Sequence, residues 1–286
     1  YNTSGSNNTF IGYGAGFYNT TGFYNNFFGR NSGRYNTSGS DNNFFGTRSG
    51  YANTTGSNNI FLGKYSGYYN TSGSDNILIG RGSGYNNNGE DNFFIGAYSG
   101  FFNTVGFNNS FLGHYAGAYN TIGSYNSFFG HYSGKFNKIG NQNIFLGSYT
   151  GLSTSASRKV ILGTGNNLSD LFDSPNTDKD FQFAVGVRTD ANESKYWLVG
   201  DENFNIGIGT TNPQFKLDVS GDINFTGTLN QNGTQFVASR WTAGTGDNIY
   251  RLNGNVGVGT TNPQTKLQVG GVLGFGQDNN VRIGDN

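Results

Sequence analysis

Asn2-Thr3-Ser4-Gly5-Ser6-Asn7-Asn8-Thr9-Phe10-Ile11-Gly12-Tyr13-Gly14-Ala15-Gly16 opens the first of nine copies of a seventeen-residue pattern that fills positions 1–151. Aligned on Gly5, later copies turn at Gly22, Gly39, Gly56, Gly73, Gly89, Gly106, Gly123 and Gly140. Every spacing is seventeen except one, where a residue is missing between Gly84 and Gly89. A short fixed period marks a solenoid, in which each repeat is one coil stacked on the last. Seventeen residues with three recurrent glycines are too few for two helices and suit short strands joined by turns. The expected fold is all-β, an elongated β-solenoid whose nine coils would span about 43 Å at ~4.8 Å each.

Two adjacent columns carry the apolar content. One is Phe10, Phe27, Phe44, Phe61, Leu78, Phe94, Phe111, Phe128 and Phe145; its neighbour is Ile11, Phe28, Phe45, Leu62, Ile79, Ile95, Leu112, Phe129 and Leu146. Adjacent strand residues point to opposite faces, so both faces of this strand are expected to be buried. A lone coil has a single interior, and the second row therefore calls for a partner, most simply another copy of the chain. A further aromatic column (Tyr1, Tyr18, Tyr35, Tyr69, Phe102, Tyr119, Phe136) adds apolar area. Gly12, Gly16 and their equivalents bracket a bend that requires positive φ or close backbone approach.

An Asn stands three residues after each turn glycine: Asn8, Asn25, Asn42, Asn59, Asn76, Asn92, Asn109, Asn126 and Asn143. This column reads either as an amide ladder along the stack or as turn residues that bond their own backbone. The Thr column (Thr3, Thr20, Thr37, Thr54, Thr71, Thr104, Thr121) offers an ice-binding face as one reading and hydroxyls that cap local backbone as the other. Its break at Lys138 weighs against ice. The positions after Gly12 vary most, and a variable position on a fixed scaffold is where a binding surface can be written. The candidate receptor or glycan contacts are Tyr65, Tyr98, His114, Tyr115, His131, Tyr132 and Tyr149. Aromatic faces beside Arg or His suit sugar rings, and two His without a third ligand make no metal site.

Composition narrows the classes. Hydrophobic residues are 34%, glycines number 48 and charged residues are 12%, which resembles a low-complexity chain. Aromatic residues at 16%, with Phe in register through nine copies, argue for a packed structure instead. Net charge is +0, so no field favours nucleic acid or an anionic membrane. Within 1–151 seven basic residues face four acidic ones, an imbalance too weak to steer a partner. Cysteine and methionine are absent, which removes disulfides. The start inside a repeat, without Met, reads as a fragment of a longer chain.

Beyond the array, Lys159-Val160-Ile161-Leu162-Gly163 echoes the repeat strand and is expected to cap the stack as a degenerate tenth coil spanning 152–165. Asp170, Asp173, Asp178 and Asp180 surround a Ser174-Pro175-Asn176 loop, read as solvated rather than as a Ca²⁺ site. Phe181–Val187 and Lys195–Val199 read as a hairpin. Then Asn205-Ile206-Gly207-Ile208-Gly209-Thr210-Thr211-Asn212-Pro213-Gln214-Phe215-Lys216-Leu217-Asp218-Val219 recurs fifty residues later as Asn255–Val269. Leu217 and Val219 alternate with Lys216 and Asp218, which predicts one buried face. Short strands are expected at Ile223–Leu229 and Thr234–Val237, with Trp241 packed.

This tandem motif resembles the shaft modules of bacteriophage tail fibres, marine phages in particular, of the kind found upstream of an endosialidase-type intramolecular chaperone. The nine-fold array is similar to segments preceding such modules and to the β-roll heads of trimeric adhesins. The resemblance implies a parallel homotrimer with three parts: a solenoid at 1–151, a capping coil and β transition at 152–200, and a fibrous β shaft at 201–286. It implies a structural, adhesive tail fibre on the virion surface. Its partners would be its own copies, other virion fibre proteins and a host cell-surface glycan or protein. No cofactor, reaction, nucleic acid or membrane insertion is expected. The rivals are a bacterial cell-surface trimeric adhesin, an ice-binding solenoid and a glycan-degrading tailspike.

Overall fold

The computed structural model describes residues 2–151, 157–165, 183–188, 194–224 and 226, and the backbone of six short strands between 230 and 269. The segment 152–156 of the tenth coil, the Asp170–Asp180 loop, Phe181, Gln182, Phe225, residues 227–229, Phe236, Val237 and Trp241 lie outside the described residues. By compactness the chain divides into two units, Tyr1–Asp222 and Ile223–Asn286.

All described regular elements are strands. In the first unit each coil contributes one three-residue strand: β1 (Thr9–Ile11), β2 (Asn26–Phe28), β3 (Asn43–Phe45), β4 (Ile60–Leu62), β5 (Ile77–Ile79), β6 (Phe93–Ile95), β7 (Ser110–Leu112), β8 (Ser127–Phe129) and β9 (Ile144–Leu146). Neighbours pair in parallel with like residues in register, Phe10 opposite Phe27 and Phe27 opposite Phe44. The array is thus a parallel β-solenoid of nine turns. β10 (Val160–Thr164) stacks on β9 in the same sense, with Ile161 opposite Phe145. β11 (Phe183–Arg188) continues the parallel ladder. β12 (Ser194–Gly200) returns antiparallel to it as a hairpin partner, with a register shift between Val185 and Gly186. β13 (Ile206–Ile208) and β14 (Leu217–Val219) complete a single fourteen-stranded sheet.

The inner column forms the core. Phe27, Phe44, Phe61, Leu78, Phe94, Phe111, Phe128 and Phe145 are all 0% exposed. Their rings stack coil on coil, with centroids 4.6 Å apart for Phe44 and Phe61 and 4.8 Å for Phe111 and Phe128. Offset stacking adds to the area each ring removes from water. Within the single chain one face of the strand is buried and the other row is open. Ile11, Leu62 and Leu146 in the neighbouring column are 57%, 47% and 50% exposed, and no described segment folds over that row. The coil has one interior, already filled by the inner column.

Asparagine holds the turns together in two ways. In the column beginning at Asn8, each side-chain oxygen accepts the backbone N–H of the equivalent Asn one coil on, as Asn25 does for Asn42 (3.0 Å) and Asn42 for Asn59 (3.0 Å). The amide nitrogen of the same side chain donates to the turn glycine of that next coil, Asn42 to Gly56 O (2.8 Å). The bonds therefore run between coils as well as to backbone. A second column, absent from the sequence reading, is equally buried: Asn36 donates to Asn19 Oδ1 (2.7 Å), Asn53 to Asn36 (2.7 Å) and Asn120 to Asn103 (2.7 Å). Each also closes its own turn, as Asn36 does on Gly39 O (2.8 Å). The Thr hydroxyls donate to the carbonyl seventeen residues on, Thr37 to Thr54 O (2.9 Å). Their protons serve the stack.

The shortened coil shows what the ladder needs. Position 88 carries Asn where regular coils carry Thr, and its side-chain oxygen accepts both the N–H (2.7 Å) and the hydroxyl (2.8 Å) of Thr71. A side chain replaces the backbone carbonyl that serves regular coils. The inner ladder breaks nearby, leaving Asn53 Oδ1 and Asn70 Oδ1 buried without a protein partner.

The two tandem motifs fold alike. β13 and β14 are a parallel pair, Ile206 opposite Leu217; β19 (Val256–Val258) and β20 (Leu267–Val269) repeat it with Val256 opposite Leu267. Between them lie β15 (Asn230–Gln231) with β16 (Thr234–Gln235), and β17 (Thr242–Ala243) with β18 (Ile249–Tyr250). One expectation here is corrected: Ile223 is outside any strand and 54% exposed. Within the single chain Leu217 is 59% exposed, since one parallel pair has no second layer to cover it.

Glycine permits the coil spacing. Gly63 has φ of +139°, and a Cβ there would stand 2.6 Å from Gly80 O of the next coil. Gly63→Ala is expected to cost at least about 2 kcal/mol, from backbone strain and the clash together. Asn59→Ala strands Asn76 N–H and Gly73 C=O and is expected to cost about 1–3 kcal/mol. Urea unfolding of each variant checks both; Thr55→Ala, on an exposed turn position, serves as the near-neutral control.

Candidate recognition surface

The bend after each strand places the candidate contacts. Tyr65, Tyr98, Tyr115, Tyr132 and Tyr149 all occupy the same position in their coils, with φ between 56° and 61°. A left-handed backbone costs a non-glycine residue on the order of 1 kcal/mol. Hydrogen bonding between coils offsets it: Tyr115 N–H donates to Ala97 O (3.0 Å) and Tyr132 N–H to His114 O (2.9 Å). Ring stacking adds to this. Tyr98, Tyr115, Tyr132 and Tyr149 form a stair with successive centroids 4.9, 5.3 and 5.1 Å apart and planes within 22° of parallel. His114 and His131 stack beside it at 5.2 Å, with His131 Nε2 3.1 Å from His114 Nδ1.

Six of the seven candidates therefore converge. Tyr65 stands apart from them, edge-on to Tyr68 and Tyr85 at 5.6 and 6.4 Å. It joins a second stack, Tyr51, Tyr68, Tyr85 and Phe101, with spacings of 4.9, 5.0 and 4.7 Å. The sequence reading passed over that stack because Arg34, Ala118 and Lys135 interrupt its column. Sorting residues by their distance from the buried Phe of each coil would have exposed it. The aromatic column assigned to burial is also at the surface, with Tyr35 and Tyr119 38% and 37% exposed.

Offset stacking changes the chemistry offered. Each ring covers part of its neighbour's face, so edges and phenol hydroxyls turn to solvent where open faces for sugar rings were anticipated. Burial raises the Tyr68, Tyr85 and Tyr115 phenols above their ordinary value, so they remain protonated donors at neutral pH. Cations lie among the rings: Lys135 Nζ is 4.5 Å from the Tyr132 centroid and 5.2 Å from that of Tyr115, and the Arg81 guanidinium is 5.5 Å from Tyr98. Burial lowers the Lys135 amine. His131 is lowered first by burial, then by the charges of His114 and Lys135.

An open depression of about 980 Å³ lies away from the candidate contacts, near the end of the array. Phe107, Ile122, Tyr125, Gln142, Arg158 and Glu202 line it, with none of the seven candidates. Among the described residues no group of three or more His, Cys, Asp or Glu could hold a metal ion, and no helix is long and apolar enough to cross a membrane.

No protein-family model, no curated protein and no solved structure matches the chain. The coordinates define it as an all-β repeat protein built on a parallel β-solenoid.

His131 gives the surface a pH dependence with a definite sign. A His whose folded value lies below 6.5 binds its proton more readily when unfolded, so its contribution is full above 6.5 and is lost as pH falls through the depressed folded value. The melting temperature is expected to drop between pH 7 and pH 5. His131→Gln should flatten that drop; an unchanged pH profile in the variant would contradict the assignment.

Proposed function

We propose that the chain is a structural, adhesive segment of a homotrimeric virion tail fibre. In this reading it positions a host-recognition surface and catalyses no reaction. The observation that carries the proposal is the outward apolar row. Phe45 and Leu62 are 37% and 47% exposed, and the same outer face bears Ile60, Phe93 and Ile144 at 40%, 38% and 47%. Parallel sheets are ordinarily covered on both faces, and large continuous apolar patches on soluble chains mark contact sites.

Identical coils make a second copy a natural cover. Phe28 and Phe45 repeat along the row at 4.7 Å, so parallel copies at the same height present like side chains at every level. Three rows meeting on a common axis would each bury against two others, leaving the Tyr and His stairs to the bend of each coil. The tandem modules support a fibre as well. Each folds as one thin parallel pair, and the exposed Leu217 of the first lacks a covering layer that neighbouring subunits would supply.

Sedimentation equilibrium tests this directly. The full chain is expected at three times its 30.8 kDa mass. Leu62→Asp combined with Leu112→Asp should shift it to monomer while circular dichroism stays β-rich, because both side chains point away from the core. A monomeric wild-type chain would contradict the proposal.

A further inference from the structure

Folding sorts the charges of the array in a way that its composition hides. Six of the seven basic residues, Arg30, Arg34, Arg48, Lys64, Arg81 and Lys135, lie three, four or seven positions after the inner apolar residue of their coil. All four acids, Asp41, Asp75, Glu90 and Asp91, lie three or four positions before it. A nearly balanced segment thus becomes a basic ridge on one side of each strand and an acidic edge on the other. The basic ridge is also the aromatic one. Lys64 is 5.0 Å from the Tyr65 ring and Arg34 5.1 Å from that of Phe17, with no acid in these columns to neutralise them.

We infer that this ridge binds an extended acidic polysaccharide, with its chain running parallel to the coil axis and its carboxylates or sulfates against Arg81 and Lys135. The inference rests on the adhesive reading above and names the chemistry its surface selects. Three features carry it. Positive charge recurs on one side of the strands in four successive coils, from Arg30 to Arg81, and again at Lys135, as a polyanion requires and a neutral glycan does not. Aromatic rings accompany it, with centroids 4.9 and 5.0 Å apart from Tyr51 to Tyr85 and 4.9–5.3 Å apart from Tyr98 to Tyr149, close to the advance of one sugar ring along an extended chain. The rings stack on one another, which closes the platforms on which nucleic-acid bases would stack and favours a sugar polymer over a single-stranded nucleic acid.

The test immobilises the full chain and measures binding of polygalacturonate, dextran sulfate, neutral dextran and an oligothymidylate. Binding to one or both acidic polymers, weakened by added salt, is expected, with neutral dextran and the oligothymidylate bound far less. If only one acidic polymer binds, it identifies carboxylate or sulfate as the preferred group and still supports the inference. Arg81→Gln with Lys135→Gln should weaken binding about tenfold or more, whereas Asp41→Asn with Asp75→Asn should not weaken it. The inference is overturned by failure to bind either acidic polymer, by equal binding of neutral dextran, by an oligothymidylate bound as tightly, or by an unaffected Arg81/Lys135 variant whose circular dichroism matches wild type. Sedimentation of the same sample keeps the two readings separate. A trimer that ignores polyanions sinks only the ligand, and a monomer that binds them sinks only the fibre.

Discussion

Every turn of this solenoid must find hydrogen-bond partners for a backbone too irregular to form a continuous sheet. Three strand residues in seventeen leave most peptide groups outside the ladder, and a buried peptide group without a partner costs about 1–3 kcal/mol. Backbone bonds between coils, such as Gly46 N–H to Phe28 O (2.8 Å), meet part of this demand, and the asparagines add to them. Their side chains copy the donor and acceptor of a peptide group: Asn42 donates its amide to Gly56 O and accepts the Asn59 N–H, both in the following coil, while its backbone N–H donates to Asn25 Oδ1 of the preceding one. Glycine at the turns lets the coils approach closely enough for those bonds to form, and the stacked phenylalanines fill the space that remains.

Much of this was legible from the chain alone. The period gave the coil, the recurrent Phe gave the interior, and glycine spacing gave the bends. The Asn25 column invited two readings, and its bonds run along the stack: Asn25 donates to Gly39 O and accepts the Asn42 N–H, both in the next coil. The column of Asn19, Asn36 and Asn53 was overlooked because an Asn before Thr looks like ordinary turn chemistry; only burial separates it from a surface turn. Tyr35 and Tyr119 were misjudged for the opposite reason, since an aromatic column suggests a core whichever side of the coil it occupies. Position along the strand is visible in sequence, but the direction of a bend is not.

The candidate surface was half legible. Tyr98, Tyr115, Tyr132 and Tyr149 do converge with the two histidines. What sequence could not convey is that their rings lean on each other, which changes the groups offered to a ligand from faces to edges and hydroxyls. Charge followed the same rule. A count over the array suggested nothing, whereas position within the coil separates Arg81 and Lys135 from Asp75 and Asp91. Two kinds of surface result, an apolar row suited to sister chains and a basic aromatic ridge suited to an acidic ligand, both repeated by the geometry that builds the core.

Native-state hydrogen exchange tests the central claim most directly. The backbone amides of Asn42, Asn59, Asn76, Asn109 and Asn126 lie outside the strands and donate to a side-chain oxygen of the preceding coil. If asparagine side chains act as added backbone, these amides exchange as slowly as those of Phe44 and Phe61 within the strands. Exchange at the rate of exposed turn residues such as Lys64 and Ser72 would contradict the account, because the asparagine oxygens would then add nothing to the backbone bonds between coils.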